Sequence, residues 1–314
     1  MTTVRAHDTR GAIASALCAC GAGQRRFRRA IMIGCPDQKG VRPLGAIAWG
    51  HYYRDQLGCK SGVIAWSHRS RFRMGLRLIG PSPGRLLDYG CGDGTFLAMA
   101  ADRIREGWGT DVSPEEIADC GRRLGAMTNL HFSRVAEMAG GSHDAAYDVV
   151  TCMETLEHCT APDVEKVLKD LGRLASPGGR IIISVPIETG PSFLLKLAFR
   201  RAVVWRGVDA YRVYEPYTPR NAVRMLLAGP NTVVERPVYG GPDSPSHSHY
   251  GFNWRVLRER VRANLIVERT VFSPLGFLGG WLSSQAWFVC RPREPRCACA
   301  PDCSIAASKR ALYR

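Results

Sequence analysis

Between residues 85 and 186 short apolar runs alternate with helix-spaced segments, and that alternation leaves few folds open. "RLLDY" (85–89) reads as a buried strand, and 95–106 follows with Phe96, Leu97, Ala100 and Ile104 at helical spacing. "GWGTDV" (107–112) reads as a second strand. Ser113 then caps a helix with Pro114 at its first position and Glu115 and Glu116 in its first turn. "LHFS" and "YDVVTCM" (147–153) supply two more strands, and 163–175 a helix ended by "SPGG". "RIIISVP" (180–186) is a β-branched run of the kind buried on both faces. The repetition predicts an α/β, Rossmann-like, mostly parallel sheet with helices on both faces.

After Pro186 the rhythm breaks. Residues 187–250 read as an inserted cap: an amphipathic stretch, "FLLKLAFRRAVVW" (193–205), a helix capped near Thr218-Pro219, and a loop, "YGGPDSPSHSHYG" (239–251). A helix over 252–263 and strands at 265–272 and 285–290 close the domain. The net charge of +15 suggests a nucleic-acid partner until it is located. Residues 1–43 carry 8 bases against 2 acids and 291–314 carry 6 against 2, whereas 44–290 hold 29 against 24. The excess thus sits in the ends and in one local segment, 193–224, with 7 bases against 2 acids, and is not spread around a cleft, which argues against nucleic acid. The division expected is a basic, poorly ordered arm (1–43), one domain (44–290) and a basic, cysteine-containing tail (291–314). The domain itself divides into a cofactor half (84–186), the cap and the closing elements (252–290). No apolar run reaches membrane-spanning length, the first residues lack the charge order of a secretory signal, and the 12 cysteines show no paired zinc spacing. A cytoplasmic protein with reduced thiols is expected.

The first strand runs into three alternating glycines, Gly90, Gly92 and Gly94, preceded by Asp88. Glycine permits a tight turn and puts no Cβ between backbone and ligand. Both a plain strand–helix corner and a ligand cradle fit that triplet alone. The spacing is neither a dinucleotide fingerprint nor a phosphate loop, since G-x-x-G-type spacing and G-K-[ST] are both missing. Asp111 ends the second strand, where a carboxylate can accept hydrogen bonds from both hydroxyls of a ribose lying over the glycines. Together the two features favour an adenosyl ligand.

"LLDYGCGDGTFL", "GTDVSPEEI", "YDVVTCMETLEHC" and "LASPGGRIIISVP" resemble the successive motifs of class I S-adenosylmethionine-dependent methyltransferases, in order over about 84–186. The resemblance implies a seven-stranded sheet with an antiparallel last strand, here 285–290. It implies that Asp88, Tyr89, Gly90, Cys91, Gly92 and Gly94 surround the methionine part of S-adenosylmethionine. Asp111 would hold the ribose, Val112 would lie beside the adenine, and Ala136 and Glu137 would approach its edge. Met153 and Glu154 would border the sulfonium. Relatives often carry the acidic residue of "VAE" (135–137) one place earlier.

In "METLEHC", Glu154, Glu157 and His158 are spaced i, i+3, i+4, one face of a helix. Two carboxylates and an imidazole so placed suit a divalent cation such as Mg2+, which would lower the pKa of a hydroxyl acceptor. The pattern resembles ubiquinone-biosynthesis O-methyltransferases, where it implies metal-assisted methylation. His158 as a metal-free base, or two acids merely suiting a helix N-terminus, fit the same residues. The acceptor is expected to be a small molecule or lipid intermediate, methylated on oxygen. A non-catalytic adenosyl-binding subunit and an RNA methyltransferase are the rivals. The 193–206 stretch fits a lid, a peripheral membrane helix or a core-facing helix. Tyr211, Tyr214, Tyr217, His247, His249 and Tyr250 are candidates to line a pocket or to anchor loops.

Overall fold

The computed structural model describes residues 50–53, 57, 62–205, 217–241 and 245–293. The basic arm, tail residues 294–314, Arg206, Tyr211 and Tyr214 lie outside the described residues. The elements run α1 (Gly62–Ile79), β1 (Arg85–Tyr89), α2 (Thr95–Ala100), β2 (Glu106–Asp111), α3 (Pro114–Leu124), β3 (Leu130–Arg134), β4 (Tyr147–Met153), α4 (Ala161–Leu174) and β5 (Ala175–Pro186). The cap supplies α5 (Pro191–Trp205), α6 (Pro219–Leu226), β6 (Val238–Tyr239) and β7 (Ser246–His247). α7 (Trp254–Asn264), β8 (Ile266–Ser273), α8 (Gly279–Leu282) and β9 (Gln285–Arg291) complete the domain.

Seven strands form one sheet in the order β3-β2-β1-β4-β5-β9-β8, with β9 antiparallel to both its neighbours. Strand periodicity sends neighbouring residues to opposite faces. Leu87, Val150, Ile181, Ile183 and Phe288 therefore pack under α4 and α7, while Leu86, Val149, Ile182 and Trp287 pack under α1 and α2. Ile181, Ile182 and Ile183 are fully buried, and each such side chain contributes about 1.5–3 kcal/mol by leaving water.

Three sequence expectations shift. The helix expected over 95–106 stops at Ala100 and tightens into a single 3-10 turn, Ala101–Arg103. Asn129 donates to the carbonyls of Ala101 and Ile104 there, and Arg105 and Glu106 donate to Gly84 instead of continuing the helix. The "SPGG" that ends α4 is also the opening of β5, and the ends of the 239–251 loop are joined by the short antiparallel β6–β7 pair.

Candidate active site

β1 and β2 pair in parallel from Arg85↔Glu106 to Tyr89↔Thr110, so the turn after β1 and Asp111 at the end of β2 emerge side by side. Gly90, Gly92 and Gly94 all have positive φ, the left-handed region where a side chain is strained. Their open sides differ. A Cβ on Gly92 would meet nothing within 4 Å, whereas one on Gly94 would press on Leu124 at 2.9 Å and one on Gly90 on Thr155 at 2.4 Å. Gly92 thus leaves the mouth bare, and Gly94 lets α3 and β3 pack close.

Asp111 turns toward that mouth. Its Oδ2 accepts from the Gly92 N–H at 2.9 Å and its Oδ1 from the Ser113 N–H at 3.0 Å, which fixes the carboxylate and leaves lone pairs for further donors. Val112, beside it, is 77% exposed, an apolar side chain at the surface. Ser113 caps α3 by accepting from Glu116 N–H, as its sequence context predicts.

On the other side of the glycines lies a cavity of about 180 Å³, lined among others by Arg71, Asp88, Gly92, Met153 and Glu154. Asp88 is buried and accepts a 2.7 Å hydrogen bond from Thr151 Oγ1; burial pushes its carboxyl up to about 7, and the nearby Asp111 charge pushes the same way. Arg71 on α1 pairs with Glu154 Oε2 at 3.0 Å. Glu154 also accepts from Ser184 Oγ and has φ +53, a strained conformation held by its N–H bond to the Ser184 carbonyl. Residues 50–53 cover one edge, tied down where Tyr52 N–H donates to Asp93 at 2.8 Å.

Beyond Glu154 the chain does not continue as a helix. Residues 156–158 form a turn, so Glu154, Glu157 and His158 do not share a helical face, which corrects the sequence expectation. Glu154 points to Arg71, while Glu157 and His158 meet His249 of the cap. Glu157 is fully buried, and neither of its carboxylate oxygens has a hydrogen-bond partner. Burial, reinforced by the Glu154 charge, pushes its carboxyl well above the usual range. His158 Nε2 lies 3.8 Å and His249 Nε2 4.0 Å from Glu157 Oε1. Burial lowers the His158 pKa. Arg236 braces the junction by donating to the carbonyls of Glu157, Ser248 and Tyr250.

The family model for the methyltransferase domain matches residues 66–227, just over half of the chain. The chain belongs to the class I S-adenosylmethionine-dependent methyltransferases. It is 34% identical to a ubiquinone biosynthesis O-methyltransferase of Aeromonas salmonicida (strain A449) over 45% of this chain and 60% of that protein. It is 39% identical to the protein of the same name from Sodalis glossinidius (strain morsitans) over 36% of this chain and 45% of that one. The chain thus matches only about half the length of these relatives. The solved protein PH0226 of Pyrococcus horikoshii OT3 is 15% identical, with a TM-score of 0.48 over 78% of this chain and all of that one.

The family's cofactor is S-adenosylmethionine, and the residues present fit it. Gly92 leaves room for a ligand against the backbone, Asp111 offers ribose acceptors, and Val112 is bare for an adenine. Other residues named from the sequence have partners within the protein. Tyr89 points into the core, donating to Asp170 at 3.3 Å, so only its backbone borders the turn. Glu137 pairs with Arg134 at 3.0 Å, and Ala136 is exposed beside it. Cys91 lines the cavity, its thiol directed to the Gly92 carbonyl. Tyr217 and Tyr250 anchor loops, accepting from Gly251 N–H and Asn221 Nδ2, and His247 hydrogen-bonds the Pro237 carbonyl. Arg71 and Tyr52 escaped sequence reasoning. The one available signal was Phe72, Leu76 and Ile79 at helical spacing around an arginine.

Proposed function

We propose that the protein transfers the methyl group of S-adenosylmethionine to an oxygen of a small-molecule or lipid-like acceptor. The observation that carries this is the bare Gly92 backbone facing a fixed Asp111 carboxylate, beside a polar cluster around the buried Glu157. In the reaction the carbon–sulfur bond breaks and its electron pair returns to sulfur. The acceptor oxygen forms the new bond to carbon and its proton is lost, leaving S-adenosylhomocysteine and a methyl ether.

This chain's residues serve that step by alignment and charge. Arg71 offers a planar fork for the methionine carboxylate, while Glu154 puts negative charge near a sulfonium. Glu157, His158 and His249 line the acceptor side, where a hydroxyl must give up its proton. A divalent cation held there would act as a Lewis acid on the acceptor hydroxyl. Relatives named for O-methylation support oxygen as the target.

Support for a lipid-like acceptor comes from an exposed apolar patch shared by the cap and the closing elements. Ser192 of α5 donates to the carbonyls of Trp281 and Ser283, and around that contact Leu194, Leu195, Phe277, Trp281 and Leu282 are all exposed. Among the described residues no helix is long and apolar enough to cross a membrane.

The test is incubation with methyl-labelled S-adenosylmethionine and a panel of hydroxylated apolar acceptors, with RNA and amines as competitors, read by mass spectrometry. Label on an oxygen, lost in His158→Ala with S-adenosylhomocysteine binding kept, is the expected result. Label on RNA or an amine, or none on any acceptor, would overturn it.

A further inference from the structure

We infer that Glu157, His158 and His249 bind a divalent transition-metal ion, with His249 of the cap, and not Glu154, completing the ligand set. One donor atom from each of the three lies within 4.8 Å of the others. Glu157 alone motivates a cation. Its two buried oxygens have no hydrogen-bond partner, and a buried carboxyl left without one is costly.

The imidazoles show the matching arrangement. His158 Nδ1 is held by the His247 carbonyl at 2.8 Å, and His249 Nδ1 lies 3.7 Å from Glu188 Oε1. With each Nδ1 facing an oxygen, each Nε2 is directed at Glu157. His158 is thus oriented as metal-bound histidines are, an outer acceptor fixing the tautomer and the inner nitrogen free to ligate, while His249 has an outer carboxylate at ion-pair distance. Glu188 is itself held by Lys196 Nζ at 2.9 Å, so the outer carboxylate is fixed as well.

The donor set also selects the ion. Mg2+ requires oxygen ligands in near-octahedral array, whereas two imidazoles and one carboxylate suit zinc, iron, cobalt or nickel. Mg2+, expected from the E-x-x-E-H pattern, fits poorly once Glu154 is spent on Arg71 and an imidazole takes its place. Because His249 belongs to the cap, the ion would also fasten residues 245–251 to the turn after β4. Its use as a Lewis acid on the acceptor rests on the methyltransferase reading; its binding does not.

The experiment takes the full chain, stripped with chelator, and titrates Co2+ or Mg2+ while recording visible absorption and Tm. The same preparations are titrated with S-adenosylhomocysteine. One equivalent of Co2+ should give ligand-field bands without thiolate charge transfer and raise Tm, with no response to Mg2+ at equal concentration. His249→Gln should weaken Co2+ binding about 100-fold, Glu188→Gln about tenfold, and Glu154→Gln not at all. His249 is partly exposed, so its variant should fold, and retained S-adenosylhomocysteine binding verifies that. Absence of a wild-type Co2+ response, a thiolate-type spectrum, or Glu154→Gln weakening Co2+ as much as His249→Gln would overturn the inference. S-adenosylhomocysteine binding without a Co2+ response defeats the metal site alone. A Co2+ response without S-adenosylhomocysteine binding defeats the methyltransferase reading alone.

Discussion

The cofactor half and the cap build their sites by different means. In the cofactor half, strand register does the placing: Asp88 pairs with Gly109 and Tyr89 with Thr110, and the turn and Asp111 follow from that ladder. In the cap, side chains bridge long stretches of chain. Arg236 reaches the Glu157 carbonyl, His158 and His247 exchange two hydrogen bonds, and His249 meets Glu157. On the proposed reading, cofactor binding is a property of the sheet, and acceptor handling a property of how the cap lies on it. Variants should separate the two.

Asp111→Ala should be the most damaging to the first. Losing two hydrogen bonds from a charged group costs about 4 kcal/mol, roughly a thousandfold in S-adenosylhomocysteine affinity by calorimetry. Comparable affinity in the variant would break the division between the regions.

Asp88 gives a pH signature confined to the cofactor half. Its folded-state pKa is raised to about 7 from 3.8, so the native state keeps a proton that the unfolded chain releases. Stability should therefore fall as pH rises from about 3.8 to about 7 and level off above. Asp88→Asn, which keeps an acceptor for Thr151, should raise stability at pH 8 on the order of 2–3 kcal/mol and have little effect at pH 4, read by denaturant unfolding. Equal effects at both pH values would show that burial does not hold the proton there.

Arg236→Ala reverses the Asp111 pattern. Turnover should fall about tenfold as the cap loosens, the equivalent of one lost charged hydrogen bond, while S-adenosylhomocysteine affinity stays unchanged. A parallel loss of affinity would mean that the two regions act as one. Val112→Ala is the mildest. With its side chain 77% exposed, Tm should hardly move, and affinity should drop by about 1 kcal/mol through lost contact with the adenine.

The same division explains what the sequence disclosed. β1, β4, the Ser113 cap and the Gly92–Asp111 pair were legible because each is set by local pattern or by pairing of adjacent strands. No local pattern marks α1, because polar and basic residues interrupt its apolar stripe and its key side chain, Arg71, is a buried charge. Spacing placed Glu154 with Glu157 and His158 on the assumption of a helix, but the chain turns at Glu154 with positive φ. His249 stood among six aromatic and histidine candidates with nothing to distinguish it. Its position depends on the 217–251 chain folding back over β4, which no local rule encodes.

A crystal structure of the protein with S-adenosylhomocysteine tests the central claim most directly. Both ribose hydroxyls should donate to Asp111, the adenine should cover Val112, and the homocysteine should pass over Gly92 toward Arg71. A ligand bound away from Gly92 and Asp111, or core side chains filling that mouth, would contradict the account.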